Sequence, residues 1–318
     1  MSALREHAVA YLAMRRSLGF ELVTQGRMLL GFVAYCEARQ IERVSTEAAV
    51  AWATNPPKGG VGEVQQARRL MSVRIFARHM NAIDASHEVP PEGILTRHSC
   101  RVTPYPFSSV ELSALCSACS ILQPAFRAAT WRTFIGLLIV TGLRVSEVCN
   151  LNRGDLDRES GAVRVLNTKF NKSRLVFVHP TTLQALREYE QLRDRHQPQP
   201  RTPALLINTR GSRLDASNTA STFATILAAS GIEPAAGQRR PRLHDIRHAF
   251  AIATLLGWYH DAKDVQARLP LLSTWLGHVD PKSTYWYLQA VPELLTLAAQ
   301  RLERAHAGCG DDQRGTPA

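Results

Sequence analysis

The stretch from His244 to Tyr287 decides how this chain is interpreted. It opens with His244-Asp245-Ile246-Arg247-His248, continues to Leu276-Gly277-His278 and closes with Ser283-Thr284-Tyr285-Trp286-Tyr287. Histidines, an arginine and two tyrosines thus fall in one C-terminal block. A histidine can transfer a proton, and a tyrosine can attack and hold a phosphoryl group. The stretch therefore predicts phosphoryl transfer onto a tyrosine.

The first of these motifs lies on a helix that the apolar pattern predicts from Leu243 to Leu256. His244, Arg247 and His248 follow the spacing i, i+3 and i+4, so they share one face of that helix. A lone histidine on such a face is usually structural, but an arginine beside it favours a functional role for His244 and Arg247. We expect His248 to support the site through a hydrogen bond.

A second arginine lies much earlier, in Thr141-Gly142-Leu143-Arg144-Val145-Ser146-Glu147. Two arginines can neutralise one phosphate by bidentate hydrogen bonding, which lysine cannot do. Arg144 comes near the start of a helix predicted from Leu143 to Leu151, where free amides and the helix dipole favour a phosphate. Glu147, one turn on, can hold a neighbouring cation. The alternative for this pair is a surface salt bridge.

Two short valine-rich runs, Ala162 to Leu166 and Arg174 to His179, predict β-strands. Thr168 to Ser173 would connect them as the tip of a hairpin. Lys169 in that tip is a candidate functional lysine, and Lys172 remains a rival. The alternative is that both lysines are only solvated.

The ordered motifs resemble those of the tyrosine recombinases, also called the phage integrase family. The matching residues are Arg144, Glu147, Lys169, His244, Arg247, His278 and Tyr287. Each motif alone is weak, but their order and spacing over roughly the last two-thirds of the chain are specific. The resemblance implies a site-specific DNA recombinase or integrase that acts through a 3′-phosphotyrosine bond. Ser283 to Tyr287 is also similar to integrases borne on transposons.

The resemblance implies a role for each catalytic residue. Tyr287 would attack the scissile phosphate, and Arg144 and Arg247 would stabilise the charge that develops on its oxygens. Lys169 would protonate the departing 5′ oxygen, and His244 would assist proton transfer with Tyr287. Because the arginines would neutralise charge as Mg²⁺ does elsewhere, we expect no metal and no other cofactor.

Two further residues and the choice of tyrosine complete this assignment. His278 would hydrogen-bond the phosphate, and Glu147 would fix the geometry of the site. Tyr287 lies nine residues after His278, the distance at which the family places its nucleophile. Residues two apart on a helix point about 200° away from each other, so Tyr285 is expected to pack instead.

The sequence predicts a mainly α-helical protein with a small β-sheet. Helical spacing of apolar residues predicts helices from Ala3 to Leu18, Thr24 to Arg39, Ser45 to Trp52 and Gly62 to Ile83. We expect an N-terminal helical core-binding domain at 1–83, a linker at 84–106, an α+β catalytic domain at 107–307 and a disordered tail at 308–318. Ala204 to Asn208 is predicted as a third strand, and no role is assigned to 257–270.

The net charge of +11 points to a polyanionic partner such as DNA or RNA, and the alternative is a basic but otherwise ordinary enzyme. The resemblance implies that the partner is double-stranded DNA. The candidate DNA contacts are Lys172, Arg174, Arg239, Arg240 and Arg242 in the C-terminal part and Arg68, Arg69 and Arg74 on the predicted fourth helix. A solvated polar face is the alternative for each cluster. The resemblance implies a two-domain clamp and four protomers on paired DNA sites, with or without other recombinases.

The cysteines and the apolar runs of the sequence indicate the cellular compartment of the protein. Six cysteines in 318 residues do not form a disulfide framework, and Cys116 and Cys119 have no second pair at zinc-like spacing. Met1 to Ala10 has no apolar core of signal-peptide length, and the most apolar run, Phe134 to Val140, is too short to span a bilayer. We therefore expect a cytoplasmic protein with no membrane partner.

Other function classes stay open at this point. A type IB topoisomerase would share the chemistry but relax supercoils as a monomer. A DNA-binding accessory protein would have lost catalysis, and a nuclease would release free ends without a trapped adduct. The intact residue set favours the recombinase.

Overall fold

The computed structural model describes residues 2–56, 59, 61–95, 103–166, 173–261, 263–278, 280, 282–290, 295–297 and 299–300. The chain divides into two units, Met1–Val102 and Thr103–Ala318. Lys169, Lys172 and the predicted tail at 308–318 lie outside the described residues. Within the described residues, no helix is both long enough and apolar enough to cross a membrane.

The first unit contains the helices that the sequence predicts, with ends that differ by at most two residues. They are α1 (Ala3–Ser17), α2 (Val23–Glu37), α3 (Thr46–Thr54) and α4 (Glu63–Ile83). Ser2 and Ser45 begin α1 and α3, because each side chain accepts a hydrogen bond from a backbone amide of the first turn. Phe32 and Phe76 are fully buried between the helices, so the apolar stripes of the sequence form this core.

The segment that follows α4, which the sequence assigns to the linker, packs on the first unit. Val44 donates its backbone N–H to Nδ1 of the buried His87 at 3.0 Å. Arg74 on α4 donates to the backbone oxygens of Pro90 and Pro91 at 2.7 and 2.8 Å. Residues up to Pro91 are therefore held by hydrogen bonds to the helices instead of leading away from α4.

The second unit is mainly helical with a small sheet, which confirms the predicted fold class. Its helices are α5 (Ser109–Ala118), α6 (Ala125–Thr141), α7 (Val145–Asn150), α8 (Pro180–His196), α9 (Thr219–Ala229), α10 (Leu243–His260), α11 (Val265–Leu276) and α12 (Lys282–Ala290). The strands β1 (Ala162–Val165) and β2 (Arg174–Phe177) pair in antiparallel fashion, with Val163 opposite Val176. Both valines are buried and attach the sheet to the core.

Helix α6 lies at the centre of this unit and packs against α5, α7, α8 and α10. Its side chains Phe134, Ile135 and Leu138 are almost completely buried. The helix ends at Gly142, which has a positive φ of 62° and whose Cβ, if present, would overlap the ring of Phe250. Glycine is therefore required at the turn that leads from α6 to α7.

The predicted third strand is wrong. Residues 204–207 are buried, but the backbone bends at 205 and 206, and pairing occurs only at isolated positions, Asn152 with Ala204 and Ile207 with Arg213. The apolar run that resembled a strand fills the core without forming a continuous ladder.

Residues 257–270, for which the sequence gave no assignment, are mostly helical. Helix α10 continues through Gly257 to His260. Asp264 then begins α11 by accepting a hydrogen bond from the backbone N–H of Ala267. Pro270 lies inside α11, a position where a proline usually kinks or breaks a helix.

Candidate active site

Arg144 is the residue that immediately precedes α7, and it is anchored at its backbone and its side chain. Its backbone N–H donates to Oε2 of Glu147 at 2.9 Å, and its Nη1 donates to Oε1 at 2.6 Å. Its Nη2 donates to the backbone oxygen of Gly277 at 2.9 Å. The side chain retains 27% exposure, so the guanidinium is fixed by the protein and still reaches solvent.

Glu147 is a buried carboxylate that pairs with two arginines. Arg174, at the start of β2, donates Nη2 to Oε2 at 2.8 Å and Nη1 to Oε1 at 3.2 Å. Burial by itself raises the pKa of Glu147, but hydrogen bonds from Arg174 and Arg144 outweigh burial and lower the pKa. The carboxylate is therefore ionised at neutral pH, and it holds both guanidinium groups in place.

Arg247 on α10 is the second arginine of the site and is only 2% exposed. Its Nη1 donates to the backbone oxygen of Gly142 at 2.8 Å, and its Nη2 donates to that of Leu276. Burial, and then the charge of Arg144, lower the pKa of Arg247 to about 10, so it remains cationic at neutral pH. A buried cation beside a second, partly exposed cation is costly unless anions compensate the charge. A phosphate would add to the compensation that Glu147 gives Arg247.

The two histidines of α10 lie side by side. The ring centroids of His244 and His248 are 4.8 Å apart, and Nδ1 of His248 is hydrogen-bonded to the hydroxyl of Tyr287 at 2.9 Å. Burial, and then His244, lower the pKa of His248 to about 3. Desolvation, and then Arg247, also lower the pKa of His244. Both imidazoles are therefore neutral at pH 7.

His278 follows the C-terminal end of α11, where Gly277 has a positive φ of 66°. Its Nδ1 is hydrogen-bonded to Oγ1 of Thr284 at 2.7 Å, and Thr284 is buried. The ring of His278 lies nearly parallel to that of Tyr287, with 6.3 Å between centroids. Thr284 is a site residue that the sequence analysis missed, although its spacing of three residues from Tyr287 places both on one face of α12.

The two tyrosines of α12 have opposite environments. Tyr287 is 2% exposed and packs in an apolar cluster with Leu255, Leu272 and Leu276. Tyr285 is 48% exposed, so the expectation that it packs is wrong. Helical spacing nevertheless separates the two side chains, as the sequence predicts.

The first turns of α7 and α10, the end of α11 and the middle of α12 therefore bring most of the predicted site together. The assembled residues are Arg144, Glu147, His244, Arg247, His248, His278 and Tyr287. No group of three His, Cys, Asp or Glu residues is placed to hold a metal ion within the part of the chain that the structure describes. A reaction without metal stays a prediction.

The arginines predicted to contact DNA have different surroundings. Those with exposed side chains are Arg68, Arg239, Arg240 and Arg242. Arg69 stacks 3.8 Å above the ring of Trp52 and donates to its backbone oxygen. Arg242 forms an ion pair with Asp245 at 2.9 Å, at the start of α10. Because Arg74 binds backbone oxygens, Arg174 binds Glu147 and Arg242 binds Asp245, the residues best placed to meet a phosphate are Arg68, Arg239 and Arg240.

Comparison with known proteins gives a consistent result. The profile of the phage integrase family matches residues 107–293. A Sinorhizobium fredii protein that bears the name integrase/recombinase y4rB is 39% identical over 310 residues, which cover 96% of this chain and 98% of that protein. The Tn1549 transposon integrase, solved with transposon right end DNA, has a TM-score of 0.67 at 15% identity, covering 96% and 99% of the two chains.

A further structure, the lambda integrase tetramer bound to a Holliday junction, has a TM-score of 0.56 at 16% identity and covers 89% of this chain and 76% of that one. These likenesses, with the helical fold and the grouped site, define an enzyme of the tyrosine-type site-specific recombinases. The chain belongs to the phage integrase family. The family that the sequence motifs suggested is thereby confirmed.

Proposed function

We propose that this recombinase cuts one DNA strand by attack of the Tyr287 oxygen on the scissile phosphate. A 3′-phosphotyrosine bond forms while the bond from phosphorus to the 5′ oxygen breaks, and that oxygen leaves as a hydroxyl. Attack of a second 5′-hydroxyl on the phosphotyrosine rejoins the strands and frees the tyrosine. One ester replaces another at each step, so no nucleotide is consumed.

The observation that carries this proposal is the position of the two arginines. Arg144 and Arg247 donate to the adjacent carbonyls of Gly277 and Leu276, so their guanidinium groups lie together beside His278. A phosphate there would receive two bidentate donors on its non-bridging oxygens. Donors held in place before the reaction stabilise the developing charge without further reorganisation. Glu147 would keep Arg144 in this orientation, and His278 would donate to the same phosphate.

The proton of Tyr287 needs a base other than the histidine that it contacts. With a pKa of about 3, His248 is about seven pKa units weaker as a base than an ordinary phenolate, whose pKa is about 10. His248 would therefore orient the tyrosine, and His244 would assist proton transfer with Tyr287. Lys169, which lies outside the described residues, would protonate the departing 5′ oxygen.

The substrate of this proposal is duplex DNA. The net charge of +11 and the solved complexes of the Tn1549 integrase and lambda integrase with DNA support a DNA partner. The lambda integrase tetramer on a Holliday junction supports four protomers on paired sites. The Tn1549 likeness also favours a mobile element as the substrate. The free Cys36, Cys116, Cys119 and Cys149 suit a reducing, cytoplasmic setting.

A covalent adduct tests the chemistry. The protein is incubated in EDTA with a library of nicked fragments from the DNA that flanks its own gene, and the reaction is stopped with SDS. Sequencing the protein-linked fragments gives the cleavage position, and a suicide substrate built on that position then gives a rate. We expect adduct without metal or nucleotide. Adduct only with added Mg²⁺, or free ends with no adduct, would contradict the proposal.

Recombination is tested separately from cleavage. Two DNA molecules that carry the mapped site are incubated with the protein, and the products are sized. Recombinant products are expected, whereas relaxation of a supercoiled plasmid without exchange would indicate a topoisomerase.

A further inference from the structure

Arg174 has a guanidinium that lies inside the protein, although the sequence predicts a DNA contact for it. Its side chain is 9% exposed. Two of its nitrogens bind the two carboxylate oxygens of Glu147, and its Nε donates to the backbone oxygen of Trp275 at 2.6 Å. The planar group thus uses donors on two of its edges, which fixes its position and its rotation.

At the end of α11, Arg174 is one of three arginines that bind backbone carbonyls. The three consecutive carbonyls of residues 275–277 each accept a hydrogen bond from a different arginine. The donors, in that order, are Arg174, Arg247 and Arg144. The last carbonyls of a helix lack intrahelical partners and carry the negative end of its dipole, so cations stabilise them. The next residue along the chain is His278.

Gly277 provides a second, independent indication. A Cβ at this position would lie 2.7 Å from Nη1 of Arg174, closer than side-chain atoms can approach. The positive φ of 66° at Gly277 also favours glycine. Arg174 therefore fills the space directly against the turn that leads to His278.

Arg174 also reaches Arg144 through a shared partner. Both oxygens of Glu147 accept hydrogen bonds from both arginines. Without Arg174, the buried carboxylate would lose one of its two cationic partners and would more readily take up a proton. A neutral Glu147 could not hold Arg144 by two charge-assisted hydrogen bonds.

We propose that Arg174 is a positioning residue for strand cleavage, which sets Arg144 through Glu147 and sets His278 through the backbone of residues 275–277. The proposal rests on the proposed function for the reaction itself. Lysine should be a poor substitute, because a single ammonium cannot satisfy both carboxylate oxygens and a carbonyl in fixed directions.

The first test separates catalysis from DNA binding. Arg174→Gln and Arg174→Lys are compared with Arg158→Gln, a control that breaks a similar pair, since Arg158 binds the buried Glu190 through Nε and Nη2 at 3.1 and 2.6 Å. Adduct formation is measured at saturating suicide substrate, together with the DNA dissociation constant and Tm. We expect both Arg174 variants to slow adduct formation at least about tenfold, with the dissociation constant unchanged within about twofold. Arg158→Gln should leave the rate unchanged.

Weaker DNA binding with an intact rate would instead make Arg174 a DNA contact. An equal loss of rate in Arg158→Gln would make the effect one of general stability. Either result would overturn the proposal.

The second test asks whether Arg174 acts through Glu147. If it does, Arg174→Gln and Glu147→Gln should combine without additivity, so that the double variant is no slower than the slower single variant. Rate losses that multiply would show two independent contributions and would contradict this route.

The third test needs no DNA. Histidine labelled with ¹³C and ¹⁵N is introduced into the full chain, and the imidazole signals of His278 are assigned with His278→Gln. These signals should move in Arg174→Gln and stay in place in Arg158→Gln. Unchanged His278 signals would overturn the proposal even if the wild-type protein forms adduct. If the wild-type protein forms none, the proposed function fails while this measurement still decides the position of His278.

Discussion

The arginine centre, comprising Arg144, Glu147, Arg174 and Arg247, and the tyrosine helix α12 are built in different ways. The arginine centre is fixed by charge-assisted hydrogen bonds to a buried carboxylate and to the carbonyls of residues 275–277. Tyr287 is placed by apolar packing and a hydrogen bond to neutral His248. Charge-assisted hydrogen bonds are roughly twice as strong as neutral ones. The electrostatic part of the site is thus formed before DNA arrives, whereas the nucleophile is oriented by contacts that are easier to rearrange.

The largest effect should come from the tyrosine helix. Tyr287→Phe removes only the attacking oxygen, so adduct formation should vanish while DNA binding survives. Gel analysis after SDS treatment measures the adduct, and a binding assay in the same buffer measures affinity.

Tyr285→Phe is the matched control, because this exposed side chain should be dispensable for the chemistry. Peptide mapping that places DNA on Tyr285, or adduct formed by Tyr287→Phe, would show that Tyr287 is not the nucleophile.

A smaller but still large effect is expected from the arginine centre. In Arg247→Lys the charge remains, but one ammonium cannot donate to both Gly142 and Leu276 and still offer a bidentate pair to a phosphate. We expect the rate of adduct formation at saturating DNA to fall about 10²- to 10³-fold, the usual effect of losing a fixed donor to a developing oxyanion. A loss below about threefold would show that charge alone is needed and that the fixed geometry is not.

The two regions also differ in how far sequence could predict them. The motif residues and the helices that carry them follow from spacing, because helical periodicity places His244, Arg247 and His248 on one face. The partners of the arginine centre could not be predicted in this way. They are backbone carbonyls of residues 142 and 275–277, and any residue type supplies a carbonyl, so sequence carries no signal for them.

Arg174 is a second case in which the sequence could not show the partner of an arginine. A basic residue beside a hairpin tip is typical of a DNA contact, and only the fold reveals that the buried Glu147 lies within reach. Thr284, by contrast, could have been found from its spacing to Tyr287.

Binding should depend on surface arginines more than on the arginine centre. Arg239 and Arg240 are exposed in the loop before α10, and each phosphate contact releases about 0.9 counterions from duplex DNA. The double variant Arg239→Gln/Arg240→Gln should reduce the slope of log affinity against log salt by about two units and leave the cleavage rate at saturating DNA intact. Titrations at several salt concentrations measure the slope. An unchanged slope would mean that both side chains are merely solvated.

The smallest effect that we expect is on the free energy of unfolding. Its change between pH 7 and pH 5 should distinguish the histidines beside Tyr287 from the arginine centre. The pKa of His248 lies at about 3 in the folded protein, below its ordinary value of 6.5. As pH falls below about 6.5, the unfolded chain binds a proton there that the folded protein does not, so stability is lost. Glu147 also has a lowered pKa, but its contribution is lost only below its ordinary value of 4.5. Denaturation at pH 7 and at pH 5 therefore reports on the histidines and not on the arginine centre. In His248→Gln the loss of stability between these two pH values should be smaller than in the wild-type protein, and an equal loss would show that His248 is not held neutral beside Tyr287.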